Sequence, residues 1–219
     1  MAPAAGRFIT FEGGEGGGKT TQLARLAEDL RAAGHAVLTT REPGGSPGAE
    51  EIRRLLVTGE AGRWDARTEA LLHMAARRDH LVRVVWPALA EGKVVLCDRF
   101  LDSTRAYQGY GHGLGRDWVD RLASVVIGDF APDLTLILDL DPAQGLARAA
   151  GRGDAETRYE TLADAFHQRV REGFHAIAKA EPGRCRLIDS SQPKERVAAL
   201  IAGQVRALLA ASPQAVRTP

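Results

Sequence analysis

The chain has 219 residues, 44% of them hydrophobic and 26% charged, with a formal net charge of +1. That is enough apolar side chain to bury one sizeable core, and the charge is too balanced for a disordered chain or for wholesale coating of nucleic acid. Its 29 basic residues are almost all arginine, the side chain whose planar fork grips phosphate or carboxylate; a compositional bias that also enriches Ala and Gly is the competing explanation.

The first short apolar run, Arg7 to Glu12, has the pattern of a buried strand. It leads directly into Gly13-Gly14-Glu15-Gly16-Gly17-Gly18-Lys19-Thr20, which fits G-x-x-x-x-G-K-[ST]. A helical period follows over Lys19 to Ala33, marked by Leu23, Leu26 and Leu30. Strand, glycine loop and helix in that order make a phosphate cradle. Backbone N–H groups converge at a helix N-terminus, Lys19 reaches the β and γ phosphates, and Thr20 ligates Mg²⁺; Thr21 extends the motif.

Further strands are expected at Ala36 to Thr40, Val94 to Asp98, Leu134 to Leu140 and Arg186 to Asp189. Helices are expected at Ala49 to Thr58, Asp65 to Ala90, Trp118 to Ile127, Pro142 to Ala150, Glu156 to Ala180 and Pro193 to Ala210. Glycine and proline collect in loops at Glu42 to Gly48, Gly109 to Gly115 and Gly151 to Asp154, and the end from Ser212 to Pro219 has the composition of a frayed tail. Short apolar runs alternating with helices indicate an α/β fold, with a five-stranded parallel sheet covered by helices. One domain over residues 1–211 is expected. The segment Gly145 to Tyr159 breaks this rhythm with Arg148, Arg152 and Arg158 around a Gly-X-Gly, the composition of a mobile lid.

The strand Val94-Val-Leu-Cys-Asp98 ends in a carboxylate placed to face a metal or its waters, and Arg99 follows at once to hold a second anion. No Asn occurs anywhere in the chain, so the Asn-Lys-X-Asp guanine signature of many GTPases is absent. A sugar hydroxyl acceptor would call for a nearby carboxylate base, whereas a phosphate acceptor is already anionic and needs positive charge and alignment. Arginine-rich loops suit the second.

Four segments together resemble the thymidylate kinase family: Phe11 to Thr21, Thr40-Arg-Glu-Pro-Gly-Gly-Ser46, Asp98-Arg-Phe100 with Ser103-Thr-Arg-Ala-Tyr-Gln108, and Ile188-Asp-Ser-Ser-Gln-Pro193. The resemblance implies a P-loop nucleoside monophosphate kinase fold, transfer of the γ-phosphoryl group of ATP to dTMP with Mg²⁺, a supply of dTDP toward dTTP, and a homodimer. It puts Glu15 near the acceptor sugar and phosphate and Arg99 on the dTMP phosphate. Arg77 falls on phosphate or base, Thr104 and Gln108 on the thymine edge, and Tyr107 on the deoxyribose face. Glu42 and Pro43 shape the acceptor pocket and Arg53 adds charge to it. Ser191 and Gln192 fall in the adenine-side loop.

His73 stands where the family usually has a Phe stacked on thymine, four residues before Arg77 and on the same helix face. The P-loop supplies no arginine, so the catalytic cation is expected from the lid, as in the bacterial type. Arg152, Arg158 and Arg148 are the candidates, and the Arg152-to-Glu160 spacing, one residue longer than the family pattern, leaves the choice among them open. Another monophosphate acceptor (dUMP, dCMP or a purine nucleotide) and a P-loop ATPase switch are the competing functions. Two cysteines, Cys97 and Cys185, without zinc-site spacing suit a reducing cytoplasm. With no apolar stretch of roughly 18 residues and no long apolar core near the first Met, neither a membrane span nor secretion is expected.

Overall fold

The computed structural model describes residues 6–60, 62–150, 159 and 162–211. Five parallel strands form one sheet: β1 (Arg7–Glu12), β2 (Val37–Arg41), β3 (Val94–Asp98), β4 (Leu134–Asp139) and β5 (Cys185–Asp189), in the order β2-β3-β1-β4-β5. Each strand stands within a residue of its expected bounds. β1 is central and buried along its whole length, as an all-parallel sheet covered on both faces requires.

The two-residue period of β1 divides the core. Ile9 and Phe11 join Leu96, Leu136 and Leu138 beneath helices α1 (Lys19–Ala32) and α9 (Lys194–Ala210), which contribute Leu23, Leu26, Val197 and Ile201. Phe8 faces the other way, with Val95, Cys97 and Phe100, against α3 (Ala66–His80) and α6 (Arg116–Ile127). Glu12 and Thr10 share that second face. α2 (Pro47–Val57) packs on α3. A third cluster, with Tyr107, Ile137, Phe166 and Phe174, lies under α8 (Asp164–Ala180). α7 (Pro142–Ala150) follows β4.

Three helical expectations are corrected. The rod expected over Asp65 to Ala90 begins one residue later, where the Asp65 carboxylate caps the N–H groups of Arg67 and Thr68. It is then interrupted: a π-helical turn spans Leu81–Val85 before α4 (Trp86–Ala90). There the Trp86 N–H reaches Leu81 O, five residues back, and Pro87 has no N–H to give.

The loop expected from Gly109 begins inside a helix. α5 (Leu101–Thr104) runs into a π-helical stretch, Arg105–Gly111. Gly111 serves helix packing there, since a Cβ on it would lie 2.6 Å from the Phe166 ring of α8. The helix expected from Glu156 starts at Asp164, Leu162 and Ala163 being non-helical. Arg152, Arg158 and Ser212 to Pro219 lie outside the described residues; of the expected lid, Gly145 to Ala150 belong to α7. No helix among the described residues is long and apolar enough to cross a membrane.

Candidate active site

The glycine loop leaves the carboxyl end of β1 and closes on α1, with Gly13, Gly16 and Gly18 at φ of 126°, 64° and 84°, a backbone that L side chains rarely adopt. Lys19 is buried and folds back onto the loop, its Nζ donating to the carbonyls of Gly14 at 2.7 Å and Gly13 at 3.2 Å. Burial, with Arg99 nearby, lowers its pKa to about 8 against the pull of Glu15 and Asp98. Thr20 Oγ1 donates to Asp98 Oδ2 at 2.8 Å, which joins the end of the glycine motif to the carboxylate ending β3. Gly16 to Thr21, Asp98 and Arg99 line one open groove.

A second cleft of about 700 Å³, its open mouth included, adjoins the groove. All ten expected acceptor residues line it: Glu15, Glu42, Pro43, Arg53, His73, Arg77, Arg99, Thr104, Tyr107 and Gln108. Glu15, Glu42, Arg53 and Arg99 line both cavities, so two anionic ligands in them would meet at these four.

Arg99 stands at the junction. It is the only non-glycine residue with positive φ (68°) among those described. Its Nη1 donates to Gly13 O at 3.0 Å and Ser103 Oγ at 3.1 Å, and its Nη2 to Glu15 Oε1 at 2.9 Å. The guanidinium also stacks 5.0 Å from the centre of the Tyr107 ring, and the Tyr107 hydroxyl donates to the same Glu15 oxygen at 2.7 Å. Against the desolvation of burial, Arg99 and Lys19 hold the Glu15 carboxyl down to about 2. Burial and the Glu15 charge push the Tyr107 phenol upward, keeping it a donor.

Deeper in the cleft, Arg77 is fixed by α3. Its Nε donates to Glu42 Oε2 at 2.7 Å and its Nη2 to Thr104 Oγ1 at 3.1 Å. Glu42 is kept ionised despite burial by Arg77 and His80, whose Nδ1 lies 3.0 Å from Oε1. The other ring nitrogen of His80 faces the Thr40 hydroxyl at 2.7 Å. Gln108 donates to Glu69 at 2.7 Å. His73 places Nε2 at 3.0 Å from the Tyr159 hydroxyl, and Tyr159 packs edge-on against Tyr107 with ring centres 5.6 Å apart.

Ser191 and Gln192 lie apart from the cleft, in the turn after β5, where both donate to the Asp189 carboxylate. That turn reaches the glycine loop through Ser190, whose hydroxyl donates to Gly17 O at 2.5 Å, and Arg148 Nη1 donates to Ser190 O at 3.3 Å. Motif matching did not supply Ser190, Phe100, Ser103, Val57, Tyr159 or His80. Phe100, Ser103 and Ser190 fall inside the segments that carry the resemblance, and Ser103 stands four residues after Arg99 on a short helix; Val57, Tyr159 and His80 carry no signal in one sequence.

The model of the thymidylate kinase family matches residues 11–201 of the chain. Among curated relatives, the thymidylate kinase of Ruegeria pomeroyi is 56% identical over 194 residues, covering 89% of this chain and 92% of that protein. The thymidylate kinase of Caulobacter vibrioides is 56% identical over 200 residues, covering 91% and 96%. The solved thymidylate kinase of Ehrlichia chaffeensis superposes with a TM-score of 0.73 at 39% identity, over 92% of this chain and 99% of that one. With a family model over residues 11–201, relatives above half identical along most of their length and a solved structure that superposes on the whole sheet-and-helix fold, the chain belongs to the thymidylate kinase family, a nucleoside monophosphate kinase by class.

Proposed function

We propose that the chain transfers the γ-phosphoryl group of ATP to dTMP, giving dTDP and ADP. The observation that carries this is the convergence of all ten acceptor candidates on one cleft that meets the glycine-loop groove at Arg99 and Glu15. The glycine-loop amides and Lys19 hold the donor phosphates, and Arg99 holds the acceptor phosphate beside them, so the reacting groups are aligned by fixed charge. Arg77, Thr104 and Gln108, each held by a buried partner, present donors to the base without reorganising. Tyr107 covers the sugar face. Arg148 adds charge from α7, and Arg152 and Arg158 keep the role the family pattern gives them, neutralising the transferring group.

Thr20 and Asp98 offer two hard oxygen donors 2.8 Å apart, a set that suits Mg²⁺ completing its shell with water and phosphate oxygens. Magnesium bound with ATP supplies neutralisation of the β and γ phosphates.

A homodimer is supported by apolar side chains left exposed on packed elements: Leu71 on α3, Val82 on the π turn and Val125 on α6, with exposures of 52%, 46% and 84%. Val85 and Leu89, on the π turn and α4, are core residues and no part of that face. The two free, buried cysteines suit a cytoplasmic enzyme.

The test is ADP release from Mg-ATP with dTMP, dUMP, dCMP, dGMP, AMP or no acceptor. Turnover should depend on dTMP and fall by about a hundredfold or more in Lys19→Ala with the fold intact. Preference for another monophosphate, or equal ADP release without acceptor, overturns the assignment.

A further inference from the structure

β1 ends in a carboxylate that the reaction described above does not use. Glu12 is wholly buried, on the Phe8 and Thr10 face at the carboxyl end of the central strand. Burial and the neighbouring Asp102 raise its pKa to about 7, so holding a carboxylate there works against folding rather than for it. Both oxygens are engaged: Oε1 accepts the Phe100 N–H at 2.8 Å, and Oε2 accepts the Ser103 hydroxyl in a short bond.

These two bonds converge on Arg99. A non-glycine residue at a φ of 68° occupies a sparsely populated region and persists only where its neighbours hold it. Its own N–H is tied to Phe11 O at 2.8 Å, and the next N–H, that of Phe100, is tied to Glu12. Phe11 and Glu12 are adjacent on β1, so one strand end grips both amides of the turn. The side chain is set from the same place. A hydroxyl has one proton, and Ser103 gives it to Glu12, so a lone pair of Ser103 is what Arg99 Nη1 meets at 3.1 Å.

We propose that Glu12 is a positioning residue for Arg99, fixing its backbone through the Phe100 amide and its guanidinium through Ser103, so that the acceptor phosphate is met by a pre-aimed cation. The inference rests on the assignment of Arg99 to that phosphate.

The experiment compares Glu12→Gln, Ser103→Ala and Arg99→Ala with the parent, measuring KM for dTMP, KM for ATP, kcat and Tm. Gln keeps an acceptor for the Phe100 N–H but presents an NH₂ to Ser103, which can no longer be polarised toward Arg99. Glu12→Gln is expected to raise KM for dTMP at least tenfold while KM for ATP stays within twofold. Ser103→Ala, which leaves the Phe100 N–H on Glu12 Oε1, is expected to raise KM for dTMP severalfold with KM for ATP within twofold and a lowered Tm because Oε2 loses its donor, and Glu12→Gln with Ser103→Ala together should be no worse in KM for dTMP than Glu12→Gln alone. If Glu12→Gln does not fold, the Ser103→Ala result decides. Unchanged KM for dTMP in Ser103→Ala, or parallel rises for dTMP and ATP in Glu12→Gln, overturns the inference while an impaired Arg99→Ala leaves the role of Arg99 standing. An Arg99→Ala enzyme with normal KM for dTMP overturns both.

Discussion

Arg99 Nη2 and Glu15 Oε1 meet at 2.9 Å where the acceptor cleft opens into the glycine-loop groove. The pair joins the end of β3 to the loop after β1, so the Arg99 guanidinium is tethered where the two cavities meet. Glu15 is largely buried, and its carboxyl lies at about 2 instead of the ordinary 4.5, held down by Arg99 and Lys19 against desolvation. A carboxyl more acidic in the folded chain stabilises it above the unfolded value, and that contribution disappears as pH falls through the folded value. The interval from pH 4.5 to about 2 is worth up to about 3 kcal/mol. Thermal unfolding from pH 6 to pH 3 should therefore lose stability less steeply in Glu15→Gln than in the parent. Equal slopes would show that the pair contributes nothing to folding.

Lys19 presents the opposite case, a cation whose proton is easier to lose. Its pKa of about 8, set by burial and by Arg99, puts neutralisation within reach of ordinary buffers. The ammonium is the form that attracts phosphate, so ATP affinity should fall as pH rises from 7.5 to 9 in the absence of acceptor. A Lys19→Arg enzyme, whose guanidinium stays charged, should lose that dependence even if it binds ATP less well. Titration calorimetry across this range decides; a flat parent profile would mean that Lys19 stays charged in the free enzyme.

The sheet was legible in the sequence because buried parallel strands are short apolar runs, and all five lie within a residue of the expected positions. Of the ten expected residues that line the second cleft, seven were legible because local motifs carry them, whereas Arg53, His73 and Arg77 lie outside those segments and rest on the wider resemblance alone. What escaped has a physical cause in each case. Gly109 and Gly111 mark a turn by composition, yet the chain stays helical there because the Gly111 backbone must approach Phe166. His80 becomes part of the site only because α3 brings it to Glu42, 38 positions earlier. Ser190 matters through its bond to Gly17, from the far end of the chain. Pairings of this kind are created by the fold and leave no periodicity to detect.

His73 and Tyr159 are joined at 3.0 Å on the wall of the acceptor cleft. Phe at position 73 would break that bond and offer the base a larger apolar face, an exchange worth about 1 kcal/mol in stacking. His73→Phe is expected to lower KM for dTMP about fivefold and to widen the preference for dTMP over dUMP, read from kcat/KM for each. A higher KM for dTMP would show that the imidazole serves the cleft through Tyr159 more than the phenyl ring would serve the base.

Gly16 of the glycine loop and Gly145 of α7 face each other with no room for a side chain. A Cβ on Gly145 would run into the carbonyl oxygen of Glu15, and one on Gly16 into the carbonyl oxygen of Gly145. Gly145 has ordinary helical backbone inside α7, so by propensity alone Gly145→Ala should stabilise the helix by about 1 kcal/mol. The contact predicts the reverse. Adding the methyl must push α7 off the loop, at the roughly 1–3 kcal/mol typical of overpacking, and the displaced carbonyl belongs to Glu15, the partner of Arg99. Gly145→Ala should therefore melt several degrees lower and raise KM for ATP and for dTMP together, because the loop serves both cavities. A higher Tm with unchanged KM values would show that the loop yields to the methyl without loss, and that α7 does not set its position.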